Sequence, residues 1–128
     1  VNTMLSAVKA LEDLKINYLS VHISSGLTAL KAVKKVSKST KIIGVTTLTS
    51  LNNRDLRLIG YNKSIKSLVV HQARLAKKAA LDALVCSPYE VSSVRKFTPA
   101  TISKITINAL ENEIKVNCSP IQLSNPVA

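Results

Sequence analysis

Three short apolar runs, residues 18–23, 42–48 and 83–87, alternate with amphipathic helical patterns along the chain. No other feature constrains the fold as tightly. The runs are rich in Val and Ile and show no clean period of two, as suits strands buried on both faces of a parallel sheet. Parallel neighbours need a crossover of a dozen or more residues, and the intervening segments supply helices of that length. Residues 2–15 place Met4, Val8, Leu11 and Leu14 on one stripe, with Asn2 or Thr3 as the expected N-cap. Residues 27–38 turn Leu27, Leu30 and Val33 inward beneath a lysine-rich outer face. Residues 64–80 do the same with Ile65, Leu68, Val69, Leu75, Ala76 and Ala79, and a short helix is expected at 54–59 within the polar connection 49–62. Pro88 opens another short helix near 89–95. The pattern predicts an α/β fold of βαβ units with right-handed crossovers.

In such folds ligands gather at the C-terminal ends of the strands. The candidate site loops are therefore 24–26, 47–52 and 87–88, all rich in hydroxyl groups. Beyond Lys96 the pattern weakens to a helical stretch near 105–114, one more strand with its exit turn at 114–121, and a polar, turn-like end. At 128 residues the chain makes one domain. It is too short for a complete eight-stranded β/α barrel, which takes roughly 200 residues or more.

The net charge of +11, from 18 Lys+Arg against 7 Asp+Glu, points to an anionic partner such as a phosphorylated metabolite or nucleic acid. A lysine-rich solvated surface is the simpler reading, because the lysines are spread over several helical faces. Aromatic content of 3% and the lack of Trp count against nucleic acid, since single-strand binders stack bases on aromatic rings. Cys86 and Cys118 form no CxxC pair and no disulfide framework, which suits reduced thiols in a cytoplasmic protein. No apolar run reaches the length of a membrane span, and no basic-then-apolar leader opens the chain. An opening at Val1 instead of Met predicts a fragment or a misassigned start.

Most reactive side chains have plain structural readings. His22, next to the site face, is expected to be a satisfied structural histidine, and His71 a solvated helix residue. Asp82 and Glu90 are not spaced as an acid–base couple. Cys86, on a buried strand, is a core residue before it is a nucleophile. Lys77 and Lys78 form an exposed helix face. Thr49 and Ser50 are either turn residues or ligand contacts.

Three strings then resemble one family. VNTMLSAVKALEDLKINYLSVHISSG is similar to the stretch of orotidine 5′-monophosphate decarboxylases from the end of barrel strand three through strand four. GVTTLTSLNNRDLRLIG looks like strand five and its loop, and AKKAALDALVCSPYEVSSVRK like strand six with its Val-Cys-Ser-Pro-x-Glu exit. The resemblance implies an incomplete TIM-type (β/α) barrel with parallel strands, residues 1–96 holding strands four to six and 97–128 a degenerate remnant of the last strands. It implies decarboxylation of orotidine monophosphate to uridine monophosphate in pyrimidine biosynthesis, with no cofactor or metal, in a cytoplasmic homodimer. Much of such a rate comes from gripping the remote phosphate, so that binding energy appears in the transition state. Substrate-binding roles carry over to Asn2 and Thr3, where the threonine reaches the ribose of the partner's ligand, and to Thr49 and Ser50, which touch the pyrimidine. No catalytic residue carries over, because the Asp-x-Lys-x-x-Asp string that precedes the Asn2-Thr3 position falls before Val1. The phosphate-clamping Gly-Arg-Pro turn has Cys118-Ser119-Pro120 in its place, without arginine, and Thr98-Pro99-Ala100 stands where a remnant of the strand-seven turn is expected. The expectation is a family member inactive on its own. Two alternatives are half of a split decarboxylase completed by another chain, and a basic module for anions or nucleic acid. An open part-barrel leaves strand edges unpaired and is expected to be marginal alone or to associate.

Overall fold

The computed structural model describes residues 1–47, 50–96, 103–110 and 113–119, the last two segments through their backbone. The elements run α1 (Asn2–Glu12), β1 (Tyr18–His22), α2 (Leu27–Val36), β2 (Lys41–Val45), α3 (Asn53–Leu58), α4 (Ile65–Lys78), β3 (Ala83–Cys86), α5 (Val91–Arg95), β4 (Ser103–Leu110) and β5 (Glu113–Ser119). Short 3-10 turns at Ile23–Ser25 and Pro88–Glu90 follow β1 and β3. The sheet order is β1-β2-β3-β4-β5, parallel from β1 to β4 and antiparallel between β4 and β5. This is the expected α/β architecture with parallel strands.

The helices bury the stripes that their spacing dictates: Leu30 and Val33 from α2, and Leu68, Val69, Ala73 and Ala76 from α4. Opposite them, Val21, Ile42, Leu84 and Cys86 complete one core with Ile23 and Val94. Leu30, Val33, Ile42, Val69 and Leu84 are each 0% exposed. Full burial of one such side chain stabilises by about 1.5–3 kcal/mol. Gly44 lies where β2 passes closest to this layer. A Cβ there would stand 2.8 Å from Leu81 Cδ1 and 3.0 Å from Ile23 Cδ1.

The end of the sheet at which the strands begin is pinned by polar groups. The Asp82 carboxylate accepts from Lys34 Nζ on α2 and from the Ile42 N–H at 2.8 Å. Thr40 Oγ1 donates to the Ile16 carbonyl at 3.0 Å. Charged hydrogen bonds such as those to Asp82 contribute more than neutral ones.

Four expectations are corrected. Val1 is the N-cap of α1 and makes no side-chain capping bond. Asn2 and Thr3 are already helical and cannot cap the helix they belong to. Strand β1 is not buried on both faces: Tyr18, Ser20 and His22 are exposed, because among the described residues β1 pairs only with β2 and only one of its faces meets helices. The stretch expected to be helical gives strand instead: residues 105–110 belong to β4, and 113–114 begin β5. The residues set against the phosphate-clamp turn also stand elsewhere. Cys118 and Ser119 lie in β5, and its antiparallel direction puts Ser119 beside Lys104, at the end where the parallel strands begin.

Candidate functional site

At the opposite end, where β1 and β2 finish, a cavity of about 160 Å³ opens. His22 and Ser24 line it from β1 and its exit, and Val45, Thr46 and Thr47 from β2. Leu51, Leu56, Ile59 and Tyr61 close it from the side of α3, and Leu68 and Gln72 from α4. The hollow is mostly apolar with a few convergent hydroxyls, as small-molecule sites are, and is smaller than the roughly 300–1,000 Å³ usual for them.

The segment leaving β2 is held at both ends. On the near side, the buried Gln72 side chain accepts from the Thr47 N–H at 2.7 Å and from Thr47 Oγ1 at 3.0 Å. Thr46 Oγ1 donates to the Val85 carbonyl at 2.7 Å, tying the same exit to β3. On the far side Asn52 caps α3 in a reciprocal box: its Oδ1 accepts from Arg54 and Asp55 N–H groups, and Asp55 Oδ2 accepts from the Asn52 N–H at 3.1 Å. Asn53 Oδ1 then accepts the Ile65 N–H at 2.9 Å and fixes α3 to the start of α4. Between these anchors lies the Leu-Thr-Ser string.

The candidate residues are distributed unevenly around this site. Ser50 stands exposed in the turn after β2. Thr49 and Leu48 lie outside the described residues, as do Thr98, Pro99, Ala100 and Pro120. Asn2 and Thr3 occupy the exposed first turn of α1 and do not line the cavity. Ser24 and Thr47, from two of the proposed loops, reach the cavity wall, whereas Ser87 does not. There the Glu90 carboxylate accepts the Ser87 N–H at 3.2 Å. Desolvation raises the Glu90 pKa, and the Ser87 hydrogen bond offsets part of the rise. Asp82 and Glu90 stand at opposite ends of β3 and form no couple. Cys86 is 1% exposed and belongs to the core.

Gln72 and Tyr61 escape a reading by motif. The signal for Gln72 is an amide on the inward stripe of α4, between Leu68 and Ala76. A buried polar group must find a partner, and the strand ends are what lies within reach. A second, larger concavity of about 400 Å³ lies along the outer face of α4, lined by Lys63, Lys66, His71 and Arg74 with Ser64, Ser67 and Val70.

The model of the orotidine 5′-phosphate decarboxylase / HUMPS family matches residues 2–112. An orotidine 5′-phosphate decarboxylase from Wolbachia sp. subsp. Brugia malayi is 42% identical over 95 residues, 73% of this chain and 42% of that protein. Its counterpart from Sphingopyxis alaskensis is 43% identical over 99 residues, 77% of this chain and 44% of that protein. The crystal structure of the Lactobacillus acidophilus enzyme superimposes with a TM-score of 0.75 at 27% identity, over 82% of this chain and 51% of that one. The chain thus spans less than half the length of these curated relatives. With the parallel strands, the hydroxyl-bearing exit of β2 and the matched span in agreement, this chain belongs to the orotidine 5′-phosphate decarboxylase / HUMPS family.

Proposed function

We propose that this chain forms the pyrimidine-facing rim of an orotidine 5′-phosphate decarboxylase, acting in the cytoplasm as part of a homodimer. One observation carries the reading: the hydroxyl-rich exit of β2, anchored at Thr47 and Asn52, borders a cavity at the C-terminal ends of parallel strands. Thr49 and Ser50 then hydrogen-bond the edge of the pyrimidine, since each hydroxyl both donates and accepts. Asn2 and Thr3 reach the ribose of the ligand in the partner protomer. Decarboxylation leaves an electron pair on the ring carbon, and an ammonium held between carboxylates must protonate it. No Asp-x-Lys-x-x-Asp string occurs among the 128 residues. Proton delivery is therefore assigned to residues outside this sequence, in a longer protein or in a second chain. Residues 1–96 supply the rim and 97–128 take the place of the last barrel strands.

The test is carbon dioxide release from orotidine 5′-monophosphate. The chain alone should show none above background. Residues 1–96 grafted into the Sphingopyxis alaskensis relative in place of its matching stretch should keep turnover, because that protein then supplies both the proton donor and the phosphate clamp. Turnover by the chain alone would refute the assignment of the chemistry elsewhere. A graft that folds yet stays silent would refute the rim assignment.

The basic concavity on α4 favours a second reading, a module for anionic polymers. Retention on DNA that falls steeply with salt would support it.

A further inference from the structure

We infer that Gln72 is a positioning residue that sets both the course and the hydrogen-bond polarity of the β2 exit, so that Thr47 presents only acceptor lone pairs to the cavity. The inference rests on the pyrimidine reading for its ligand, and on geometry alone for the role of Gln72. The Thr47 N–H lies 2.7 Å from the terminal atom of the Gln72 side chain, and an N–H can only donate. That atom is therefore the amide oxygen. The same oxygen lies 3.0 Å from Thr47 Oγ1, so the hydroxyl must donate its single proton there. Gln72 is 6% exposed, which makes leaving these groups unpaired costly.

A hydroxyl whose proton is committed has lone pairs left for a ligand. The cavity wall at Thr47 thus favours a ring that offers an N–H donor, as the imide of uracil does, over one that offers a bare ring nitrogen, as cytosine does. A site built to pair a donor discriminates well, because the wrong ring leaves a buried acceptor facing another acceptor.

The experiment uses the 128-residue chain, its Gln72→Met, Gln72→Glu and Thr47→Val variants, and two probes, uridine and cytidine 5′-monophosphate. Amide hydrogen exchange at Thr47, with the β2 amides as internal reference, reports position; the affinity ratio of the probes reports polarity. Gln72→Met should raise Thr47 exchange at least tenfold while Ile42 and Gly44 stay protected. Gln72→Glu, still an acceptor, should keep Thr47 protected. Thr47→Val should keep the amide protected yet lose the preference for the uridine nucleotide. If Gln72→Met fails to fold, the Glu and Val variants decide. Unchanged Thr47 exchange in Gln72→Met overturns the positioning role, as does lost protection in Gln72→Glu. A preference that survives Thr47→Val overturns the polarity. Wild-type chain that binds neither nucleotide overturns the pyrimidine reading and the polarity together, while exchange at Thr47 still judges Gln72.

Discussion

At Glu90 two effects oppose each other. The carboxylate accepts the Ser87 N–H, which favours the charged form, while burial beside β3 disfavours it more and raises the pKa above the ordinary value of 4.5. The unfolded chain therefore gives up this proton at a lower pH than the folded one. The contribution of Glu90 to stability is complete below about pH 4.5 and is lost as pH rises through the raised value. Gln at this position keeps an oxygen for Ser87 and carries no charge. Glu90→Gln should raise the melting temperature at neutral pH, and the difference should shrink as the pH falls toward about 4, read by thermal melts across that range. A difference that grows on acidification would show the hydrogen bond to dominate. Single residues of this kind are legible unevenly in the sequence. The core place of Cys86 follows from its apolar strand. The partners of Asp82 and Gln72 do not, because both depend on which strand ends the fold brings together.

Elements are legible wherever one apolar face decides the structure. The stripes on α2 and α4 reappear as buried faces, and three of the parallel strands sit in the three apolar runs. The hairpin is harder to see, although its signal is present. Ile105, Ile107 and Ala109 alternate with polar residues, and so do Ile114, Val116 and Cys118; the register then sets Ile105 opposite Cys118, Ile107 opposite Val116 and Ala109 opposite Ile114. A window that spans both strands mixes two alternations and mimics a helical spacing, which is why 105–114 looks helical. Strand β2 carries a tighter constraint at Gly44, against Leu81 and Ile23. Gly44→Ala should overpack this contact and cost about 1–3 kcal/mol. Urea unfolding should show a lower midpoint at unchanged slope; an equal midpoint would mean that Leu81 gives way freely.

At the scale of the molecule, one sheet face is covered by helices and the other exposes Ser20 and His22. Such a sheet is what a partial barrel should present. At 128 residues the chain falls short of the roughly 200 or more that a closed eight-stranded barrel takes. The direction of β5 follows once both strands are recognised, because the two positions between Leu110 and Glu113 are too few for a parallel crossover. No helix among the described residues is long and apolar enough to cross a membrane. Among the described residues two concavities compete for a nucleotide: the cavity beside Thr47, whose lining carries no Lys or Arg, and the basic face of α4. Titrating the isotope-labelled chain with orotidine 5′-monophosphate, and mapping which backbone amides shift, separates them. The pyrimidine-rim account predicts saturable shifts centred on Ser24, Thr46, Thr47 and Ser50. Shifts confined to Lys63, Lys66 and Arg74, with the β2 exit undisturbed, would contradict it.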